Sequence, residues 1–282
     1  MNKRQLEVLR RQIRYWRDEV TLNPSWRAIC DEFELQERIE GSLIRFQFKD
    51  KAWLREQAKR SGYGDLLLDD APTGHRIDAA RSGLVNEKLA PVTPEQQYVL
   101  LTSQAGKLPC AGVEKLQPRM SVRVAIDDLA LALIDVLVIV ENLDVFDHWH
   151  CANLPAELGT AVATYRGHDS AAKGVRHLIE RLPETVQIVV FPDLDPDGLK
   201  IALTTPKVNS LLICDFTDDL IAVGSSDDFN KQHQAAKYLD GAELAAWQPL
   251  WTELKKHKRS IKQQHMLAQR AALHTLSYQR CE

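Results

Sequence analysis

The run IVVFPDLDPDGLKIA, residues 188–202, passes from an apolar segment through Pro192 into three aspartates, Asp193, Asp195 and Asp197, and then Gly198. Carboxylates crowded this closely raise one another's pKa and repel unless a cation lies among them. The stretch therefore points to a metal. A calcium-binding helix–loop–helix is the first form to test. With Asp193 at loop position 1, Asp195, Asp197 and Gly198 fall at 3, 5 and 6, but position 12, which needs a bidentate Glu, is Thr204. The preceding residues also read as a strand where that loop needs a helix. The alternative is magnesium at a strand end, where Mg²⁺ takes one or two carboxylates and keeps water or substrate phosphate in its other positions. Asp193 and Asp195, two apart where a strand gives way to a loop, can face one cation. Gly198 lets the backbone turn closely beneath them.

Working outward, four apolar runs share this pattern: DVLVIVEN (135–142), GTAVATYRG (159–167), VQIVVFPD (186–193) and SLLICD (210–215). Helix-like stretches separate them, the clearest being DSAAKGVRHLIERL (169–182). Continuous apolar strands alternating with helices predict a parallel sheet covered on both faces. Such sheets gather ligand groups at the carboxyl ends of their strands, which here carry Glu141, Arg166, Asp193 and Asp215. Glu141 can share the cation of Asp193 and Asp195 or hold a second one.

VIVEN, the turn YRGHD and FPDLDPDG together resemble the Toprim domain, a Rossmann-like parallel α/β fold with a glutamate after its first strand and a DxD after its third. The DLDPDGLKIA form is most similar to the topoisomerase VI A-subunit group. Closer still is the nuclease subunit of Wadjet and Mks condensin-like (SMC) plasmid-defence systems. The motifs span about residues 130–230. The resemblance implies that Glu141 is a general acid/base or metal ligand and that Asp193 and Asp195 hold Mg²⁺ (or Mn²⁺). Asp197 is either a further ligand or, after Pro196, a cap of the next helix. The implied activity is metal-dependent DNA endonuclease with little sequence specificity. The implied partners are double-stranded DNA, an SMC-like ATPase complex and a second copy of the chain, since cutting both strands needs two sites. No GxxxxGK[ST] is present, so any ATP-driven selection belongs to a partner. Topoisomerases of this group cut through a covalent tyrosine. Tyr15, Tyr63 and Tyr98 lie upstream, but none sits in the context of that motif, and Tyr15 is expected on the apolar face of a helix. Hydrolysis by metal-activated water is therefore the expectation. Two rivals stay open: a non-catalytic DNA-binding or scaffold subunit, and a tyrosine transesterase.

The composition of the whole chain, 282 residues, 44% hydrophobic and 27% charged, is that expected of a soluble globular protein. No apolar run reaches the roughly 18–20 residues of a membrane span, and MNKRQLEVLRRQIRYWRD does not read as a signal peptide. The five cysteines (Cys30, Cys110, Cys151, Cys214, Cys281) form no CxxC, as expected of reduced thiols in the cytoplasm. Residues 141–230 hold fifteen Asp/Glu against six Lys/Arg, while residues 1–17 carry six Lys/Arg against one acid. Such a distribution suits a metal centre flanked by phosphate-holding surfaces, or ordinary solvated helix faces.

Upstream, Leu6, Leu9, Ile13, Trp16 and Val20 recur at helical spacing, broken by Asn23-Pro24-Ser25, where Asn23 or Ser25 can cap a second helix near Trp26. A third helix is expected over 51–61, SLIRFQF (42–48) alternates like a strand, and residues 62–97 read as irregular. YVLLTS and SVRVAI follow as strands. The expected division is a mostly helical, winged-helix-like, DNA-binding arm over 1–129 and the Toprim domain with a basic helix over 130–282. Lesser candidates complete the reading. HWHC (His148, His150, Cys151) has no second half for zinc and reads as helix surface. Arg166, His168 and Lys200 can face a phosphate or pair with the acidic cluster. KKHKRSIKQQH (255–265), with Lys255, Lys256, Lys258 and Arg259, can track a DNA backbone or form a solvated helix face.

Overall fold

Asn2 starts the first helix: its side chain accepts from the Gln5 N–H while the Gln5 side chain accepts from the Asn2 N–H, opening α1, Lys3–Arg14. The computed structural model describes residues 1–68, 74–81, 92–113, 115–167 and 170–278. Leu6, Leu9 and Ile13 are buried on α1 as expected. The helix stops at Arg14, however, so Trp16 lies beyond it and Val20 belongs to strand β1, Glu19–Thr21. Asn23 caps α2, Pro24–Glu32, through the Trp26 N–H, with Pro24 in the first turn. Strand β2, Ile39–Glu40, and strand β3, Leu43–Arg45, form a hairpin, and β1 joins β3 to give the antiparallel order β1-β3-β2. Helix α3, Phe48–Arg60, begins earlier than expected because Gln47 and Asp50 cap each other. A short helix α4, Arg76–Arg81, follows, and much of the irregular stretch 62–97 lies outside the described residues. Residues Met1–Pro94 form one compact unit, with a core that includes Leu9, Ile13, Ile29, Ile44 and Leu54.

The second unit, Glu95–Glu282, is built around central strands too apolar to sit anywhere but a sheet interior. Its elements run β4 (Tyr98–Thr102), β5 (Val122–Ala125), β6 (Val136–Val140), α5 (Leu143–Asp147), β7 (Val162–Tyr165), α6 (Ser170–Arg181), β8 (Gln187–Phe191), α7 (Pro196–Leu203) and β9 (Val208–Cys214). Helices α8 (Asp218–Val223), α9 (Ser226–Lys231), α10 (His233–Asp240), α11 (Gln248–His257) and α12 (Gln263–Ala268) precede the last strand, β10 (Leu273–Ser277). Together these make a mixed α/β fold with a seven-stranded sheet in the order β10-β9-β8-β6-β7-β4-β5. The four expected strands are its parallel centre, β9-β8-β6-β7. β10, β4 and β5 extend it antiparallel at the two edges. The expected division after residue 129 therefore moves: β4 and β5 pair into this sheet, and the units divide at Pro94. Gly174 on α6 shows how closely that part is packed, since a Cβ there would lie 2.4 Å from the Glu95 carbonyl oxygen.

The strand order contains a reversal. From β6 the chain moves to β7 on one side, then returns past β6 to β8 and β9 on the other. Parallel crossovers follow a right-handed rule, which for this order assigns the connections to opposite faces of the sheet. The carboxyl ends of β6 and β8 are therefore the switch point, the place where such sheets hold ligands in a crevice. Val140 and Phe191 pair as the last residues of those two strands. Glu141 and the PDLDPDG loop leave the sheet side by side at this crevice. Among the described residues no helix is long and apolar enough to cross a membrane.

Candidate functional site

Asp195 is the most enclosed of the three aspartates, at 1% exposure. It is the N-cap of α7, and its Oδ1 accepts from the Gly198 N–H at 2.9 Å. Its Oδ2 accepts from Ser260 Oγ at 2.6 Å, Gln232 Nε2 at 2.9 Å and Lys262 Nζ at 2.9 Å. Burial alone would raise its pKa, but Ser260, Gln232, the Gly198 amide and Lys262 together hold it below the usual carboxylate range. The turn needs Gly198, because a Cβ there would lie 2.3 Å from the Asp193 carbonyl oxygen. Asp197 stands exposed in the first turn of α7, its N–H donating to Gln232 Oε1 at 2.9 Å. Burial and then the Asp195 charge raise its pKa.

Asp193 is held from the other side. Its Oδ1 accepts from the Gln263 N–H at 2.8 Å, and its Oδ2 lies 3.2 Å from Lys262 Nζ. Burial raises its pKa, opposed by the Gln263 amide and Lys262. Gln263 is fully buried, and its Oε1 accepts from the Asn142 N–H at 3.0 Å while its Nε2 donates to the Phe191 carbonyl. One side chain thus ties the end of β6 to the end of β8. The segment carrying these groups is fixed to the aspartate loop by a backbone bridge, Leu194 N–H to the Ile261 carbonyl at 2.8 Å and Ile261 N–H to the Leu194 carbonyl at 3.2 Å.

Glu141 completes the cluster. Its Oε2 is buried and meets no hydrogen-bond partner among the described residues. Burial and then the Asp193 charge raise its pKa to about 7, with Arg166 opposing and Asp195 adding. Arg166 leaves β7 beside it, donating from Nη1 to the Gly167 carbonyl at 3.3 Å, with its Nε buried and unpartnered among the described residues. The site is thus three carboxylates and two cations at the crevice. Among the described residues no three His, Cys, Asp or Glu side chains converge as one metal-holding group. Asp195 Oδ2 already takes three donors, so Glu141 Oε2 is the carboxylate oxygen of this cluster left without one among the described residues.

The other predicted residues lie elsewhere. His168 falls outside the described residues. Asp215 lines a cavity of about 660 Å³ with Thr217, Asp219 and Gln269. Lys200 stands over the Tyr238 ring, 5.3 Å from its centre. The basic stretch divides: Lys255 pairs with Asp240 at 2.8 Å, Lys256 with Glu253 at 3.2 Å, and Arg259 donates to the Gly224 carbonyl at 3.2 Å. Lys258 turns the chain in a left-handed conformation, φ 50°, at the end of α11. After it the backbone folds inward, bringing Ser260, Lys262 and Gln263 onto the aspartates. HWHC forms a turn after α5, where Arg119 donates to His148 Nε2 at 2.5 Å and Cys151 Sγ lies 3.3 Å from His150 Nε2. Tyr15, expected on the apolar face of α1, instead caps its end and is 73% exposed. Sequence reasoning missed Gln232, Ser260, Lys262 and Gln263 as parts of the site; only the cation in the basic run was a visible signal.

Fold and site define the class: a mixed α/β protein with a buried carboxylate cluster where its parallel strand order reverses. Residues 96–275 match the family model described as a domain of unknown function, DUF7281, a span that takes in all seven strands except the end of β10. The chain belongs to that family. No curated protein matches it in sequence.

Proposed function

We propose that the chain is a Mg²⁺- or Mn²⁺-dependent DNA endonuclease of the Toprim kind. The observation that carries this reading is the pairing, at the switch of strand order, of Glu141, with its unpartnered buried Oε2, and Asp193. An unsatisfied carboxylate oxygen in a buried site is costly unless a ligand completes it. The donor set suits Mg²⁺, which takes one or two carboxylates and leaves the rest of its sphere to water and phosphate. Glu141 and Asp193 would hold the ion. When bound, it supplies charge stabilisation for the phosphodiester under attack. Asp195 shapes the loop and fixes the ammonium of Lys262. Gln263 holds Asp193 against the end of β8. Arg166 places a permanent positive charge beside the crevice, suited to a phosphate oxygen.

The resemblance to Wadjet and Mks nuclease subunits extends the proposal to plasmid defence beside an SMC-like ATPase, in the cytoplasm and as a dimer. The element order α1-β1-α2-β2-β3, with the strands arranged β1-β3-β2, supports a winged-helix-like reading of residues 1–68. Supercoiled plasmid, incubated with purified protein in Mn²⁺ or in EDTA, tests the activity. Nicking or linearisation that needs the metal and is lost in Glu141→Ala and Asp193→Ala is expected. No cleavage by the wild type, alone or with its co-purifying partners, would favour the scaffold reading. Protein covalently joined to a DNA end, lost in Tyr15→Phe, would establish transesterification instead.

A further inference from the structure

We propose that the ammonium of Lys262 is the resident cation of the Asp193–Asp195 pair, so that the chain takes one divalent ion, at the Glu141–Asp193 edge, rather than two. The proposal rests on the metal-dependent reading above, and it concerns how many ions the site admits. An aspartate pair two residues apart at a strand end has the form of a site that grips a metal between its carboxylates. Here that position is filled by the chain itself. Lys262 Nζ lies 3.2 Å from Asp193 Oδ2 and 2.9 Å from Asp195 Oδ2. A divalent ion bridging the same two oxygens would need the same space and would meet the ammonium's charge.

The lysine is held in place from both sides. Ile261 before it exchanges both backbone hydrogen bonds with Leu194, and Gln263 after it donates its N–H to Asp193. Asp195 Oδ2 has two further donors, Ser260 Oγ and Gln232 Nε2, so its coordination is complete without a metal. Glu141 Oε2 has no donor at all among the described residues. The same cluster thus contains one carboxylate saturated by protein groups and one with an oxygen, Glu141 Oε2, left without a donor among the described residues. Charge agrees with this division. With Glu141 ionised, as it would be against a cation, Glu141, Asp193 and Asp195 against Lys262 and Arg166 leave one net negative charge. A single divalent ion makes it one positive, the complement of a phosphodiester, whereas two would leave a large excess.

The test is Mn²⁺ binding by isothermal titration calorimetry on the full chain, wild type beside Lys262→Met, Lys262→Gln and Lys262→Arg, with thermal melting of each in Mn²⁺ and in EDTA. The expected result is one ion per wild-type chain and two in the Met and Gln variants. Both should melt lower than wild type in EDTA and recover in Mn²⁺. Lys262→Arg should bind one ion as the wild type does. Two ions in the wild type would overturn the proposal. So would a single ion in wild type, Met and Gln variants alike, which would leave the metal-dependent reading standing. No ion in the wild type but one in Lys262→Met would instead support the role of Lys262 and sink the metal-dependent reading. If the Met variant does not fold in EDTA, the Gln variant, which can still hydrogen-bond both carboxylates, carries the comparison.

Discussion

Glu141 and Asp195 lie in one cluster and respond to pH in opposite senses. The raised Glu141 pKa means that the folded chain holds this proton more tightly than the unfolded one, whose ordinary value is about 4.3. Its contribution to stability is therefore full below about pH 4 and is lost as pH rises towards about 7. Glu141→Gln should accordingly raise the melting temperature at pH 8 in metal-free buffer by a few degrees, about 2 kcal/mol, while abolishing cleavage. Scanning calorimetry at pH 4 and pH 8 checks it, with the difference between the two proteins shrinking towards pH 4. Asp195 is the reverse case. Its lowered pKa contributes stability above the ordinary carboxylate range that is lost as pH falls through it. Asp195→Ala would leave Lys262 and Ser260 facing a missing acceptor. A loss of about 3–5 kcal/mol is expected in urea denaturation. A loss under about 1 kcal/mol would mean that the hydrogen bonds to Asp195 contribute little.

At the scale of elements, the aspartate loop depends on one glycine. A Cβ on residue 198 would lie 2.3 Å from the Asp193 carbonyl oxygen, so Gly198→Ala has to push α7 away from β8 or reshape the loop. A loss of about 2–4 kcal/mol and weaker Mn²⁺ binding are expected, read by melting with and without the ion. The parallel strands were legible because a run such as VLVIV has no polar face to offer water. β1 and β2 are too short to show a period, and β10, LHTLS, alternates with polar residues at the sheet edge. Glu141, Asp193 and Asp195 were legible as strand-end carboxylates. Their supports were not. Ser260 lies 65 residues from Asp195 and Gln263 lies 70 from Asp193, so nothing local marks them. KKHKRSIK reads as a helix face, and the pairing of Ser260 with Ser225 and of Ile261 with Leu194 turns its last lysine inward.

Over the whole molecule, the two units have separate cores. The larger core draws its residues from Val99 to Leu273 and includes both central strands. Residues 95–282 expressed alone should therefore unfold in one cooperative transition and bind Mn²⁺ as the full chain does. A fragment with no cooperative transition would show that this unit needs the first. The acidic bias of residues 141–230 is likewise a property of the folded unit, since Lys262 from the basic C-terminal segment answers part of it.

The central claim is that Glu141 and Asp193 hold a divalent ion at the strand-order reversal. Anomalous scattering from crystals of the protein grown in Mn²⁺ tests it most directly. One peak between the carboxylates of Glu141 and Asp193, with Lys262 still seated between Asp193 and Asp195, is the predicted result. No peak there, or manganese bound only at the His148–Cys151 turn, would contradict it.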